Sequence, residues 1–210
     1  MSQTQQTTQK RVPLTDKWNE QILVVKRDFL FPNGPWNGVK AVDFDWYLKT
    51  IQEKKEFTAR GPVETNTNYK QIIPYLVFEF EGNYFLMQRQ SQASESRLAS
   101  KYSLGIGGHL RKEDLEGSNF FEWAQREFHE EIDYKGKLEI EPLGVLNDDS
   151  NEVGQVHIGF VLLLRGNSSD IKVKSELAGG QLLSLTQCKS RYAAMETWTQ
   201  LVFDFLQARV

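Results

Sequence analysis

The sequence predicts an α+β fold, and three observations carry that reading. Runs rich in β-branched and aromatic residues, chiefly "QIIPYLVFEFEGNYFLMQRQ" and "IGFVLLL", read as strands. Stretches such as "VDFDWYLKTIQEKK", "NFFEWAQREFHEEI" and "AMETWTQLVFDFLQARV" place apolar residues at helical spacing. No internal repeat or Pro-rich linker divides them, so one domain over residues 18–210 is expected, behind a flexible tail over residues 1–17 that is rich in Gln and Thr.

The elements follow in order. "QILVVKRDFLF" reads as a β segment closed by the turn-rich "PNGPWNG", and the helix after it starts near Asp43 or Asp45. Glu81-Gly82-Asn83 joins two β runs as a hairpin, and "KYSLGIGG" supplies a further short strand. A helix from about Asn119 to Ile132 comes next, with Ser118 as its expected N-cap. "KLEIEPLGVLNDDSNEVGQVHIGFVLLLRG" gives two strands around an acidic loop, and a closing helix buries Met195, Trp198, Leu201, Val202, Phe205 and Leu206.

Composition narrows the class. With 210 residues, 40% hydrophobic and 25% charged, such a chain buries roughly 70% of its unfolded surface and needs neither disulfide nor structural metal to fold. The single Cys188 has no partner in the chain and points to a reducing, cytoplasmic compartment. A net charge of −3 and a pI near 5.7 supply no basic field for duplex nucleic acid or a membrane surface, so a small nucleotide is the expected kind of ligand. The start lacks the apolar core of a secretory signal. The longest apolar run, Ile158 to Leu164, is far short of the roughly 20 residues of a membrane helix.

The chemistry concentrates in "REFHEE". Phe121, Ala124, Phe128 and Ile132 form one apolar stripe, beside which Glu127, Glu131 and, further round, Glu130 fall within an arc of about 100°. Glu127 and Glu131 are four apart and repel by roughly 0.2–0.5 kcal/mol, so a cation between them is expected. Arg126, next to Glu127 and four before Glu130, is placed to orient one carboxylate. Mg²⁺ suits such a set, because it takes few protein carboxylates and is completed by water and substrate phosphate oxygens. A solvated acidic face is the competing account of the same residues.

Arg126-Glu127-Phe128-His129-Glu130-Glu131, preceded by Gly107-Gly108, resembles the core of the Nudix box, G-x5-E-x7-R-E-U-x-E-E-x-G-U. The stretches "ESRLASKYSLGIGGHL" and "GVLNDDSNEVGQVHIGF" are similar to a bacterial subgroup of predicted phosphoesterases in that superfamily. The resemblance covers about Gln71 to Val210. Three features depart from the pattern: Ser118 stands eight before Arg126 where the family has Glu, the loop after Gly108 is about four residues longer, and Asp133 replaces the family Gly. Gly136 is then the candidate for the helix stop.

The resemblance implies a Nudix-type α/β/α sandwich with a mixed β-sheet and Mg²⁺-dependent hydrolysis of a diphosphate linkage in a nucleoside-diphosphate-linked substrate, with Mn²⁺ as a substitute ion. It implies metal ligation by Glu127, Glu130, Glu131 and the main-chain carbonyl of Gly107, with Arg126 as orienter. The base belongs to a loop outside the box, for which Glu176 is the choice and Glu127 the alternative. Arg89, Arg97 and Lys101, ahead of the Gly-Gly strand, are candidate contacts for substrate phosphates, or plain surface charge. A homodimer is common on this scaffold. The alternative function is a catalytically weak nucleotide-binding or sensor module, to which Ser118 lends support.

Other residues keep two readings. Asp148, Asp149 and Glu152 are turn formers, or cap the cleft or hold a second metal. His109 and His157 are structural, or catalytic. Trp36, Trp46 and Tyr47 belong to the core, or stack a base.

Overall fold

Two strands buried on both faces organise the molecule. In this computed structural model the described residues are 17–89, 100–115, 119–174 and 177–209, with only the backbone described for Arg89, Leu115 and Leu177. The chain runs β1 (Gln21–Lys26), α1 (Arg27–Leu30), β2 (Gly38–Lys40), α2 (Phe44–Lys54), β3 (Glu56–Ala59) and α3 (Arg60–Val63). Next come β4 (Tyr69–Phe80), β5 (Asn83–Arg89), β6 (Tyr102–Ser103), β7 (Gly105–Gly107), α4 (Phe120–Glu131) and β8 (Ile132–Tyr134). It closes with β9 (Leu138–Asn147), α5 (Glu152–Val156), β10 (His157–Gly166), β11 (Ile171–Val173), β12 (Leu177–Ser184), α6 (Leu185–Lys189) and α7 (Thr197–Gln207).

The mixed sheet has the order β12-β5-β4-β10-β9-β2, with β1, β6 and β7 as further partners along β4 and β5. β10 lies parallel to β4 from His157 opposite Gln71 to Arg165 opposite Glu79, and antiparallel to β9. Alternate residues of the two central strands feed opposite cores, which is why both strands read as unbroken apolar runs. Ile72, Leu76, Phe78, Ile158, Phe160, Leu162 and Leu164 face α2 and α4, whereas Tyr75, Val77, Val161 and Leu163 face α7. Trp123 and Phe203, absent from the apolar stripes read in the sequence, are also buried, Trp123 in the first of these cores and Phe203 in a further cluster with Leu86, Leu104, Cys188 and Met195.

Pro74 stands in the interior of β4, where a missing N–H is costly in a fully paired strand. The other edge of β4 resolves this: β1 pairs with Tyr69 to Gln71 and β7 with Tyr75 to Val77, so Pro74 falls between two partner segments. The Gly-Gly strand end lies at that interruption. In the hairpin between β4 and β5, Glu81 and Gly82 take φ of 49° and 76°, the left-handed pair of a tight two-residue turn.

Several boundaries differ from the sequence reading. The segment "QILVVKRDFLF" is strand only to Lys26; it then coils into α1, which turns Leu30 into the core. The acidic loop between β9 and β10 contains a helical turn, α5, begun by Asn151 accepting from the Gly154 N–H. The N-cap of α4 is Asn119, not Ser118, in a capping box with Glu122. The chain passes from Glu131 straight into β8, so Gly136 does not stop the helix. Asp133 pairs with Lys172 of β11 in extended backbone, a position that makes no demand for glycine. Among the described residues no helix is long and apolar enough to cross a membrane.

Candidate active site

The Gly-Gly strand end and the carboxylate helix meet at Gly108. A Cβ built there would stand 2.3 Å from Glu127 Oε1, so any larger residue at 108 would push that carboxylate away from the strand end. Helix α4 is set at this distance by its apolar side: Phe128 stacks on Phe78 of β4, and Phe120 meets Phe160 of β10 edge-on. Trp123, Ala124 and Phe128 are buried by this packing, Phe121 partly so. Glu127 and Glu131 are left half-buried at the rim, and Glu130 is exposed.

Burial, then the charges of Glu130 and Glu131, push the Glu127 carboxyl up to about 7, with the Arg111 charge acting the other way. Three carboxylates on one side of a helix, one of them partly desolvated, make a donor set whose charge a divalent cation would offset. Their oxygens are hard ligands of the Mg²⁺ type. Among the described residues no three Asp, Glu, His or Cys side chains are drawn together as a ready cage, so ligation would need rotamer adjustment of the exposed Glu130 and of Glu131. Gly107 ends β7 opposite Tyr75, beside Gly108 and thus beside Glu127.

The remaining candidates divide. Arg126 is exposed; its Nη2 donates to the Asp114 carbonyl at 2.7 Å, and among the described residues it makes no ion pair with a carboxylate. It ties α4 to the 3₁₀ turn at Glu113–Leu115, a different task from the expected orientation of Glu127 or Glu130. Lys101 is exposed just before β6. Arg89 ends β5, its backbone opposite Leu177, and its side chain lies outside the described residues, as do Arg97, Ser118 and Glu176.

Most of the residues with two readings are engaged in structural contacts. Asp148 is fully buried and accepts from the Ser150 N–H and hydroxyl and from Asn151. Asp149 pairs with Arg27 and with the fully buried Lys70. Although burial works upward on Asp149, hydrogen bonds from Arg27, Lys70 and Asn147 hold its carboxyl down at about 2. Lys70 also donates to the carbonyls of Gly154 and His157, and burial lowers its ammonium to about 8. Glu152 is exposed on α5.

His109 Nε2 lies 2.7 Å from Gln71 Oε1 and 3.2 Å from His157 Nε2, and His157 Nδ1 lies 2.7 Å from the Val153 carbonyl. A carbonyl only accepts, so Nδ1 carries the proton of a neutral His157, and the His109 Nε2–H donates into the pair. Burial, then the Arg60 charge, hold His109 well below the usual histidine range. Trp36 donates to the Gly38 and Val145 carbonyls, and Tyr47 is buried with its hydroxyl on the Leu30 carbonyl. Trp46 is exposed, with its ring edge-on to Tyr47.

Sequence reasoning missed Arg111 and Asp114, which join the box loop to the helix. Counting back from Arg126 led to Ser118; counting forward from Gly107 by the box spacing leads to Glu113, the first residue of the turn that holds Asp114.

A mixed sheet flanked by helices on both faces, with a glycine strand end seated on an R-E-x-x-E-E helix, defines the Nudix hydrolase class. The comparisons agree. Tm1382, whose crystal structure is assigned to the Nudix hydrolases, superposes with a TM-score of 0.77 at 30% identity, covering 91% of this chain and all of that one. Protein YmaB of Bacillus subtilis (strain 168) is 35% identical over 207 residues, spanning 91% of this chain and 99% of its own length. The NUDIX domain of NrtR from Shewanella oneidensis, complexed with ADP-ribose, shares the fold at a TM-score of 0.53 and 12% identity, over 67% of this chain and 88% of that one. No protein-family model matches the chain. The chain belongs to the Nudix hydrolase superfamily, and it is an enzyme of that class.

Proposed function

We propose that this enzyme hydrolyses a diphosphate linkage in a nucleoside-diphosphate-linked substrate, with Mg²⁺ as its ion and Mn²⁺ as a substitute. The observation that supports the reading is the contact of Gly108 with the Glu127 carboxylate, which seats the strand end against the helix that also carries Glu130 and Glu131. Glu127, Glu130 and Glu131 would hold the ion together with the Gly107 carbonyl. Bound there, such an ion would supply neutralisation of the charge that develops on the diphosphate. Glu176 takes the proton of the attacking water, with Glu127 as the alternative, and Arg89, Arg97 and Lys101 meet the substrate phosphates.

The test is a panel of ADP-ribose, nucleotide sugars, dinucleoside polyphosphates, NAD(H) and nucleoside triphosphates, with Mg²⁺ or Mn²⁺ and scored by product. Metal-dependent release of a nucleoside monophosphate or of phosphate, abolished by Glu130→Gln, is the expected outcome. Stable binding of an intact nucleotide over hours with no product would select the sensor reading instead.

A further inference from the structure

Asp114 sits where the box loop, α4 and β1 meet. Its Oδ2 accepts from the Arg111 backbone N–H at 3.0 Å and from Arg111 Nε at 3.1 Å, and its Oδ1 accepts from Arg111 Nη2 at 3.3 Å. Its own N–H donates to the Arg111 carbonyl, and its carbonyl accepts from Arg126. The Arg111 backbone bridges to Ile22 of β1, with the Leu110 carbonyl accepting from Leu23 and the Lys112 N–H donating to Gln21 on either side. Both ends of Arg111 are thereby fixed.

Arg111 stands between Gly108, which lies against Glu127, and Asp114, whose carbonyl accepts from Arg126 next to Glu127, so the fixed guanidinium flanks that part of the helix and its charge bears on the Glu127 carboxyl. A guanidinium without a local partner beside several carboxylates pairs with one of them through its fork, and a carboxylate so engaged has fewer lone pairs for a cation. Asp114 engages that fork instead. We propose that Asp114 is a positioning residue: by closing the turn on Arg111 it keeps the guanidinium from pairing with Glu127 and leaves that carboxylate to a divalent cation. The inference rests on the metal-binding reading of Glu127, Glu130 and Glu131.

The experiment titrates the full chain with Mn²⁺, following free Mn²⁺ by electron paramagnetic resonance, for wild type, Asp114→Asn, Arg111→Gln and the double variant. Asp114→Asn is expected to weaken Mn²⁺ binding about tenfold, the scale of lost outer-shell support. The double variant is expected to recover near wild-type affinity, because the competing guanidinium is gone. Thermal melts run alongside: both variants lacking Asp114 lose the same turn, so a purely structural role lowers binding in both and gives no recovery.

Wild-type affinity in Asp114→Asn overturns the proposal, and so does a double variant as weak as Asp114→Asn. A wild-type protein that takes up no Mn²⁺ overturns the metal reading itself and this inference with it, an outcome distinct from binding that is indifferent to Asp114.

Discussion

Gly108 and Glu127 occupy one another's space: the carboxylate oxygen stands 2.3 Å from where a Cβ of residue 108 would lie. Gly108→Ala must therefore displace the Glu127 side chain or the strand end. A shift of about 1 Å at a reacting centre costs on the order of 100-fold in rate. That loss in kcat is expected, with a melting temperature close to wild type because Gly108 is outside the sheet core. Full activity in the alanine variant would detach this contact from catalysis.

The raised Glu127 carboxyl gives the metal-free protein a pH dependence of definite sign. Its usual value of 4.5 becomes about 7 on folding, so between these limits the folded chain keeps a proton that the unfolded chain releases. Stability falls as pH rises through that window, by something of order 2 kcal/mol after allowance for solvent at the rim. The penalty is absent below about pH 4.5 and complete above pH 7. Melts in EDTA at pH 5 and pH 8 measure it. Glu127→Gln should flatten the difference, and Mg²⁺ added to wild type at pH 8 should recover the loss; an unchanged slope in the variant would assign it elsewhere.

Lys70 is buried with three oxygen partners, Asp149, Gly154 and His157. Lys70→Met removes a donor from the Gly154 and His157 carbonyls and leaves Asp149 to Arg27 and Asn147. Removing one member of such a pair costs about 3 kcal/mol at the low end of the range for buried pairs, appropriate because Asp149 is partly exposed. The melting temperature should fall by roughly 6–12 °C, and amide exchange should quicken between Asn147 and Val156. A shift within experimental error would mean that the loop is held by other contacts.

Asn119 caps α4 through the N–H groups of Phe121 and Glu122, and Glu122 returns a bond to the Asn119 N–H. Asn119→Ala is expected to cost about 1 kcal/mol. Denaturant unfolding reads this directly, and an unchanged midpoint would show that packing alone sets the helix start.

Much of this architecture was written locally. The apolar stripe of α4 follows from a periodic stretch longer than three turns, and the Glu81-Gly82 turn follows from its neighbours along the chain. Partner choice was not legible in the same way: β4 and β10 are both apolar throughout, and nothing in either names the other. Lys70 reads as a surface residue because lysine almost never lies fully buried unless paired, and its partners come from a loop more than seventy positions onward. The Arg111–Asp114 clamp looks in sequence like two solvated charges three apart. Its meaning comes from Arg126 and Ile22, which only the fold brings alongside. Arg126 itself was read from helical spacing, which ranks Glu130 as a neighbour but carries no information about the turn the side chain reaches.

The parallel pairing of His157–Gly166 with Gln71–Glu79 also orders events in time. On the ribosome, the carboxylate helix emerges ahead of the strand carrying Phe160, against which its first turn rests. A nascent polypeptide halted before His157 would already display each helical carboxylate assigned to the ion, while the strand bearing Phe160, against which the helix start rests, had yet to be translated.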